Sequence, residues 1–143
     1  MAYCTQAEIE KSRIPVATLI QLTDDADLNV VDAATVAGAI KDADGLIDGF
    51  LKGRYPLPLN PVPDMIATIS VNLSTYYLYA RKPEFEMPKT VSDQHQTALK
   101  LLERIQDGKM QLSEDADPVA VNASSVSCSM PERLFNRQTM RGF

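Results

Sequence analysis

His95 is the single histidine in the chain, so any general-base or metal-ligand chemistry built on imidazole rests on it alone. It sits in a helical pattern beside Ser92, Asp93 and Gln96, with no cysteine or second histidine nearby, and reads as a surface residue. Asp25-Ala-Asp27-Leu-Asn29 copies the start of an EF-hand loop. The glycine position is Val30 and the bidentate glutamate position is Val36, so the calcium shell fails and a solvated acidic turn is the better account. Asp44 and Asp48 stand four residues apart on one helical face, as a carboxylate pair for acid–base work would. Lys52 continues that row, so Asp48 and Lys52 are expected to form an ordinary surface pair. The patterns GxxxxGK[ST], GxGxxG and GxSxG do not occur, which leaves phosphate cradles and a nucleophile elbow without support. Cys4 and Cys128 have neither metal nor redox spacing and fit free thiols in a reducing compartment. These residues name no catalytic, cofactor-binding or metal-ligating set, and no enzymatic activity is expected.

The elements that hold these residues read as helices. Thr5-Gln-Ala-Glu8 is a capping box for a short helix to about Arg13. Pro15 suits the first turn of a second, to about Leu22, with Val16, Leu19 and Ile20 apolar. After an acidic loop, Asp32 caps a long helix over about 33–54, with Val36, Ile40, Ala43, Ile47, Phe50 and Leu51 on one stripe. Gly38, Gly45, Gly49 and Gly53 weaken it by about 1 kcal/mol each relative to alanine. Such a helix needs packing to persist, and its small residues let another helix approach. A further helix covers about 64–81, with Met65, Ile66, Ile69, Leu73, Tyr76, Tyr77 and Ala80 apolar. The last covers about 90–107, opened by Thr90-Val-Ser-Asp93 and capped by Gly108. Lys109 to Leu112 reads as a short strand or an extended exit.

Between the long helix and its successor lies Gly53-Arg54-Tyr55-Pro56-Leu57-Pro58-Leu59-Asn60-Pro61-Val62-Pro63. Four prolines fix φ, remove donors and hold the residues before them out of the α region. The result is a stiff connector with an apolar edge, which needs either its own bundle or a neighbouring chain to pack against. Pro58-Leu-Asn-Pro61 also matches PxxP, but between two helices a structural connector is the better reading.

The 143 residues are 45% hydrophobic and 23% charged, which suits a single all-α domain, a small bundle of four to five helices. The net charge of −5 argues against a general nucleic-acid binder. There is no 18-residue apolar run, so no membrane span is expected. Three regions follow: a helical domain over 1–112, a linker over 113–130 rich in Ser, Asp, Ala, Asn and Val, and a C-terminal arm over 131–143. The arm carries Arg133, Arg137 and Arg141 at i, i+4, i+8, with Leu134, Phe135, Met140 and Phe143 as apolar anchors. With Glu132 it sums to +2, leaving −7 for residues 1–130. This is the pattern of a segment that folds when it docks.

The N-terminal YCTQAEIE, the following LIQLTDD, the helix ADGLIDGFLKGRYPLPL, the helix after PVP and the C-terminal FNRQTMRGF together resemble the Mu-like phage and prophage head–tail connector family. The resemblance covers nearly the whole chain and is weakest over 113–129. It implies a virion structural protein that forms a ring, commonly of twelve copies, beneath the portal protein of a tailed phage. Such a ring extends the DNA channel without sequence-specific binding and docks the next neck or tail component. The implied location is the neck of the virion, with the host cytoplasm as the place of assembly. On this reading Arg54, Tyr55, Pro56, Leu57, Pro58 and Leu59 pack at a subunit or ring-to-ring interface. Arg133, Leu134, Phe135, Arg137, Met140 and Arg141 anchor the arm on the portal or a neighbour. A stopper, head-completion or tail-terminator protein, or a small regulatory or host-interaction protein, are the alternatives. Whether Tyr55, Leu57 and Leu59 face inward or outward is left open by the sequence.

Overall fold

The computed structural model describes residues 2–25 and 27–112. The linker and the arm proposed from sequence lie outside the described residues. The rest is an all-α bundle of five helices: α1 (Gln6–Ser12), α2 (Val16–Thr23), α3 (Ala33–Leu51), α4 (Asp64–Arg81) and α5 (Lys89–Gln106). Helix α4 packs against all four others, and α3 and α5 also pack together.

That central position explains which residues α4 buries. Its apolar stripe predicts Ile66, Ile69 and Leu73, and all three are buried. Val71, Leu78, Ser70, Ser74 and Thr75 are buried as well, because α1 and α2 cover the face that the stripe leaves free. Ala80, expected in the stripe, is exposed, and Tyr76, Tyr77 and Tyr79 are half-buried. The small hydroxyl residues keep the helices close without leaving a polar group unmet, with one exception. Thr75 Oγ1 is buried without a hydrogen-bond partner.

Two apolar clusters meet along α3 and α4. One joins Ala43, Ile47 and Leu51 to Ile66, Ile69, Leu73, Ala98, Leu102 and Ile105. The other joins Ile9, Ile14, Leu19 and Leu22 to Val36, Ala39, Ile40, Val71 and Leu78. Helix α5 contributes one amphipathic face, Val91, Ala98, Leu102 and Ile105, spaced as a helix that covers a core from one side.

The ends of the helices follow local chemistry. The Glu8 carboxylate accepts from the Thr5 amide at 2.6 Å, one half of the expected capping box. Asp32 caps α3 by accepting from Ala34 N at 2.9 Å and from the Thr35 hydroxyl. The long helix stops at Leu51 rather than Arg54. Gly53 takes φ +97°, and the Arg54 and Tyr55 amides turn back to Leu51 O at 3.0 and 3.2 Å, a left-handed close that glycine permits. Pro88 takes the N-cap position of α5, ahead of the predicted Thr90. Pro15 likewise sits at the cap of α2 rather than within its first turn. The exit at 109–112 is not a strand. Among the described residues the one β-bridge is an isolated pair, Lys52 and Tyr55.

Candidate functional site

The stiff connector over 52–63 is pinned from within. Tyr55 and Leu59 are buried in the α3–α4–α5 cluster at 3% and 2% exposure. The Tyr55 hydroxyl accepts the Leu112 amide at 3.1 Å, so the connector and the chain after α5 are tied to each other. Gly108, at φ +77°, lies directly under the Arg54 guanidinium, and a Cβ there would collide with it. Arg54 therefore covers the C-terminal end of α5, where the helix carbonyls favour a cation. Its charge also helps hold the Asp107 carboxyl below its usual range, after the larger effect of Lys109. Of the connector residues predicted to contact a partner, Tyr55 and Leu59 are thus turned into the chain's own core. Burial of apolar area against three helices outweighs any gain from displaying them in solvent. Pro56 and Pro58 are exposed, and Leu57 and Arg54 are half-buried, so these four remain on the surface that a partner can touch. The Leu57–Pro58 and Asn60–Pro61 bonds are cis.

A second group of residues lies at the middle of the bundle. Asp44, expected on a surface row, is 8% exposed. It accepts from Tyr3 N at 3.2 Å and from the Ser70 hydroxyl at 2.9 Å. Cys4 Sγ lies 3.2 Å from Ser70 Oγ and 3.8 Å from Ser74 Oγ. The Tyr3 hydroxyl donates to Asp48. The expected Asp48–Lys52 surface pair is therefore replaced by a tyrosine–carboxylate bond. Burial pushes the Asp44 carboxyl above its usual range, opposed by the two hydrogen bonds it accepts. Burial likewise raises the Cys4 thiol. Burial together with Asp48 pushes Tyr3 up to about 12. The arrangement keeps the thiol and the phenol neutral at ordinary pH. What it does physically is fasten the N-terminal segment across α3 and α4. No sequence signal short of the fold itself points to it, because the partners are separated by 26 to 70 residues.

His95 is not a free surface side chain. Its ring stacks on Tyr76 with centroids 3.7 Å apart and planes 15° from parallel, and burial lowers its pKa. The acidic turn has specific partners. Asp25 is engaged by Arg81 and Lys82, and Asn29 N donates to Asp24 at 2.7 Å. Arg81 and Lys82 also reach the last carbonyls of α2, at Leu22 and Gln21. Asp27 and Asn29 take positive φ, 54° and 55°, a region that Asp and Asn enter more readily than most residues. Among the described residues no group of three or more His, Cys, Asp or Glu side chains converges as a metal site, and no helix is long and apolar enough to cross a membrane.

The glycines of α3 point away from the bundle. A Cβ added at Gly38, Gly45 or Gly49 would meet nothing within 4 Å. The helices packed on α3 use its opposite face, through Val36, Ile40, Ala43 and Ile47, so the glycine face is open to a helix from outside the bundle. One long helix thus carries a buried apolar face and an open face of small residues.

The family described as Bacteriophage Mu, Gp36 matches residues 3–129, a span that takes in all five helices. The Mu-like prophage FluMu protein gp36 of Haemophilus influenzae is 26% identical over 114 residues, covering 79% of this chain and 78% of the relative. Gene product J of Escherichia phage Mu is 32% identical over 78 residues, covering 54% of this chain and 52% of the relative. The chain thus spans about half the length of that second protein.

Proposed function

The chain belongs to the Bacteriophage Mu Gp36 family, and from that premise we infer that it is a structural head–tail connector subunit of a tailed phage. The observation that carries the reading is the family match across the whole bundle, with relatives from phage Mu and a Mu-like prophage. The subunit assembles with copies of itself as a ring under the portal, extends the DNA channel and receives the next neck or tail component. It acts in the virion neck after assembly in the host cytoplasm, and it catalyses no reaction.

Physical features support this. A ring subunit needs two different surfaces, since its contacts are head-to-tail. The open face of α3 offers one, where Gly38, Gly45 and Gly49 let a neighbouring backbone come close. The rigid edge formed by Arg54, Pro56, Leu57 and Pro58 offers another. Tyr55 and Leu59 serve that edge indirectly, by fixing its shape from below, so little entropy is lost when a partner binds it. The charge of −7 over residues 1–130 has the sign that repels DNA and keeps it sliding. The groups with chemical potential have structural work already: Cys4 and Asp44 are buried together, Asp48 holds Tyr3, and His95 stacks on Tyr76.

The experiment is assembly of particles with a chain truncated after Ser129. The expected result is a folded protein that no longer joins portal-containing particles, because Arg133, Leu134, Phe135, Arg137, Met140 and Arg141 are gone. Normal incorporation would remove the arm from the reading. Recovery of the full chain outside the particle, and never in it, would remove the connector role itself.

A further inference from the structure

The loop between α2 and α3 turns apolar side chains outward. Leu28 is 72% exposed and Val30 is 63% exposed. They border a cavity of about 300 Å³ whose walls include Val31, Asp24, Asp25 and Asp32. Phe85, 37% exposed, stands close by in the loop after α4, in a second hollow that shares Asp24. Single exposed apolar residues are ordinary, but a cluster rimmed by charge marks a contact surface. The display is fixed rather than loose, since Arg81 and Lys82 hold Asp25, and Asp24 holds the Asn29 amide.

This end of the bundle is acidic. Asp24, Asp25, Asp27, Asp32 and Glu84 stand against Arg81 and Lys82, five negative charges against two positive, or −3. Residues 131–143 have the opposite character, with three arginines against one glutamate and the anchors Leu134, Phe135, Met140 and Phe143. We propose that the acidic, apolar end around Leu28 and Val30 receives the C-terminal segment 131–143 of a neighbouring copy of this chain. The arginines meet the acidic rim while an anchor covers Leu28 and Val30. Arginine, phenylalanine and methionine, residue types enriched at interfaces, are all on the docking segment.

The departure point of the C-terminal segment and the acidic loop lie at opposite ends of α3. Leu112 is bonded to Tyr55 beyond the C-terminal end of α3, whereas the acidic loop leads into its N-terminal end at Ala33. The nineteen residues of α3 set these ends about 28 Å apart. Residues 113–130 can reach up to about 60 Å when extended, enough for the loop of either the same chain or a neighbour, and the head-to-tail ring selects the neighbour. A donor at one end and an acceptor at the other make a contact that repeats head to tail and closes in a ring. The proposal rests on the ring reading above.

The test uses the full chain carrying Cys4→Ser, in which Cys128 is the one remaining thiol. A nitroxide is attached at Cys128 of an unenriched chain, which is mixed with ¹⁵N-enriched chain. Broadening of the amides of Asp27 to Val31 and of Glu84 and Phe85 is expected. It should disappear when the nitroxide chain carries Arg133→Glu, Arg137→Glu and Arg141→Glu, and should fall at least tenfold with Leu28→Ser and Val30→Ser on the enriched chain. Broadening that survives both sets of changes overturns the proposal. So does its absence from the mixed sample, including the case where it appears only with label and isotope on one chain. In either case normal incorporation of the full chain into particles would leave the connector role standing, so the two failures are distinguishable.

Discussion

The two connectors that bracket α3 solve opposite problems. The segment over 52–63 hides its large side chains, Tyr55 and Leu59, and shows prolines to the solvent. The loop over 24–31 displays Leu28 and Val30, and holds its backbone by polar bonds to Asp24 and Asp25. The first is rigid because its apolar residues are in the core. The second keeps its shape through ions and hydrogen bonds, which leaves its apolar residues for something else. A surface built on a closed connector offers shape, while one built on an open connector offers sticky area.

The largest break in this comparison comes from Tyr55. Tyr55→Ala is expected to cost about 3–5 kcal/mol in denaturant unfolding, as for other buried aromatics, and to free the 109–112 segment to exchange. Tyr55→Phe removes only the acceptor for the Leu112 amide and should cost about 1 kcal/mol. If Tyr55→Ala proves as mild as Tyr55→Phe, the closed end is not closed. Next comes Gly108→Ala, expected to cost about 1–2 kcal/mol for a side chain at positive φ. Part of that loss should return in an Arg54→Ala background, since the guanidinium is what a Cβ would strike.

Proton linkage separates the interior from the open end by sign. Burial raises Asp44, so the native state holds that proton more tightly than the unfolded chain. The contribution is full in acid, below the ordinary value of 3.8, and is lost as pH rises through the raised one. Asp44→Asn should therefore gain stability relative to wild type as pH climbs out of the acid range. Asp32 is lowered by the Thr35 hydroxyl and the Ala34 amide. Its contribution is full above 3.8 and lost as pH falls through the lowered value. Asp32→Ala should be weaker than wild type at neutral pH, with the deficit closing in acid. Thermal melts across pH 3–7 check both, and parallel curves for the two variants would contradict the assignment. The smallest effect belongs to Leu28→Ser with Val30→Ser, expected within about 0.5 kcal/mol of wild type. A loss comparable to that of Tyr55→Ala would mean that the open loop is part of the core after all.

The helices were legible because their apolar spacing is regular and their caps are local. Thr5 with Glu8, Asp32 and Gly108 act within four residues of where they stand. Leu78 and the serines of α4 were missed because the helix is enclosed by four others, which no single stripe reports. Asp44 was misplaced for a related reason. On its own helix it lines up with Asp48 and Lys52, and only Tyr3 and Ser70, 41 and 26 residues away, bring it inside. The direction of Tyr55 depended on Leu112, 57 residues on. The spacing of the α3 glycines shows that a close neighbour can approach, and only the fold shows that their face points out of the bundle.

The fastening of Tyr3 and Cys4 has a consequence for the order in which the chain folds. Tyr3 and Cys4 bond to Asp44, Asp48, Ser70 and Ser74, partners 41 to 70 residues further along the chain, so these bonds wait until α3 and α4 are in place. Loop-closure entropy opposes such early-to-late pairings until both sides exist. The N-terminal segment is therefore among the last pieces to settle, and it closes over α3 and α4 once those helices have met.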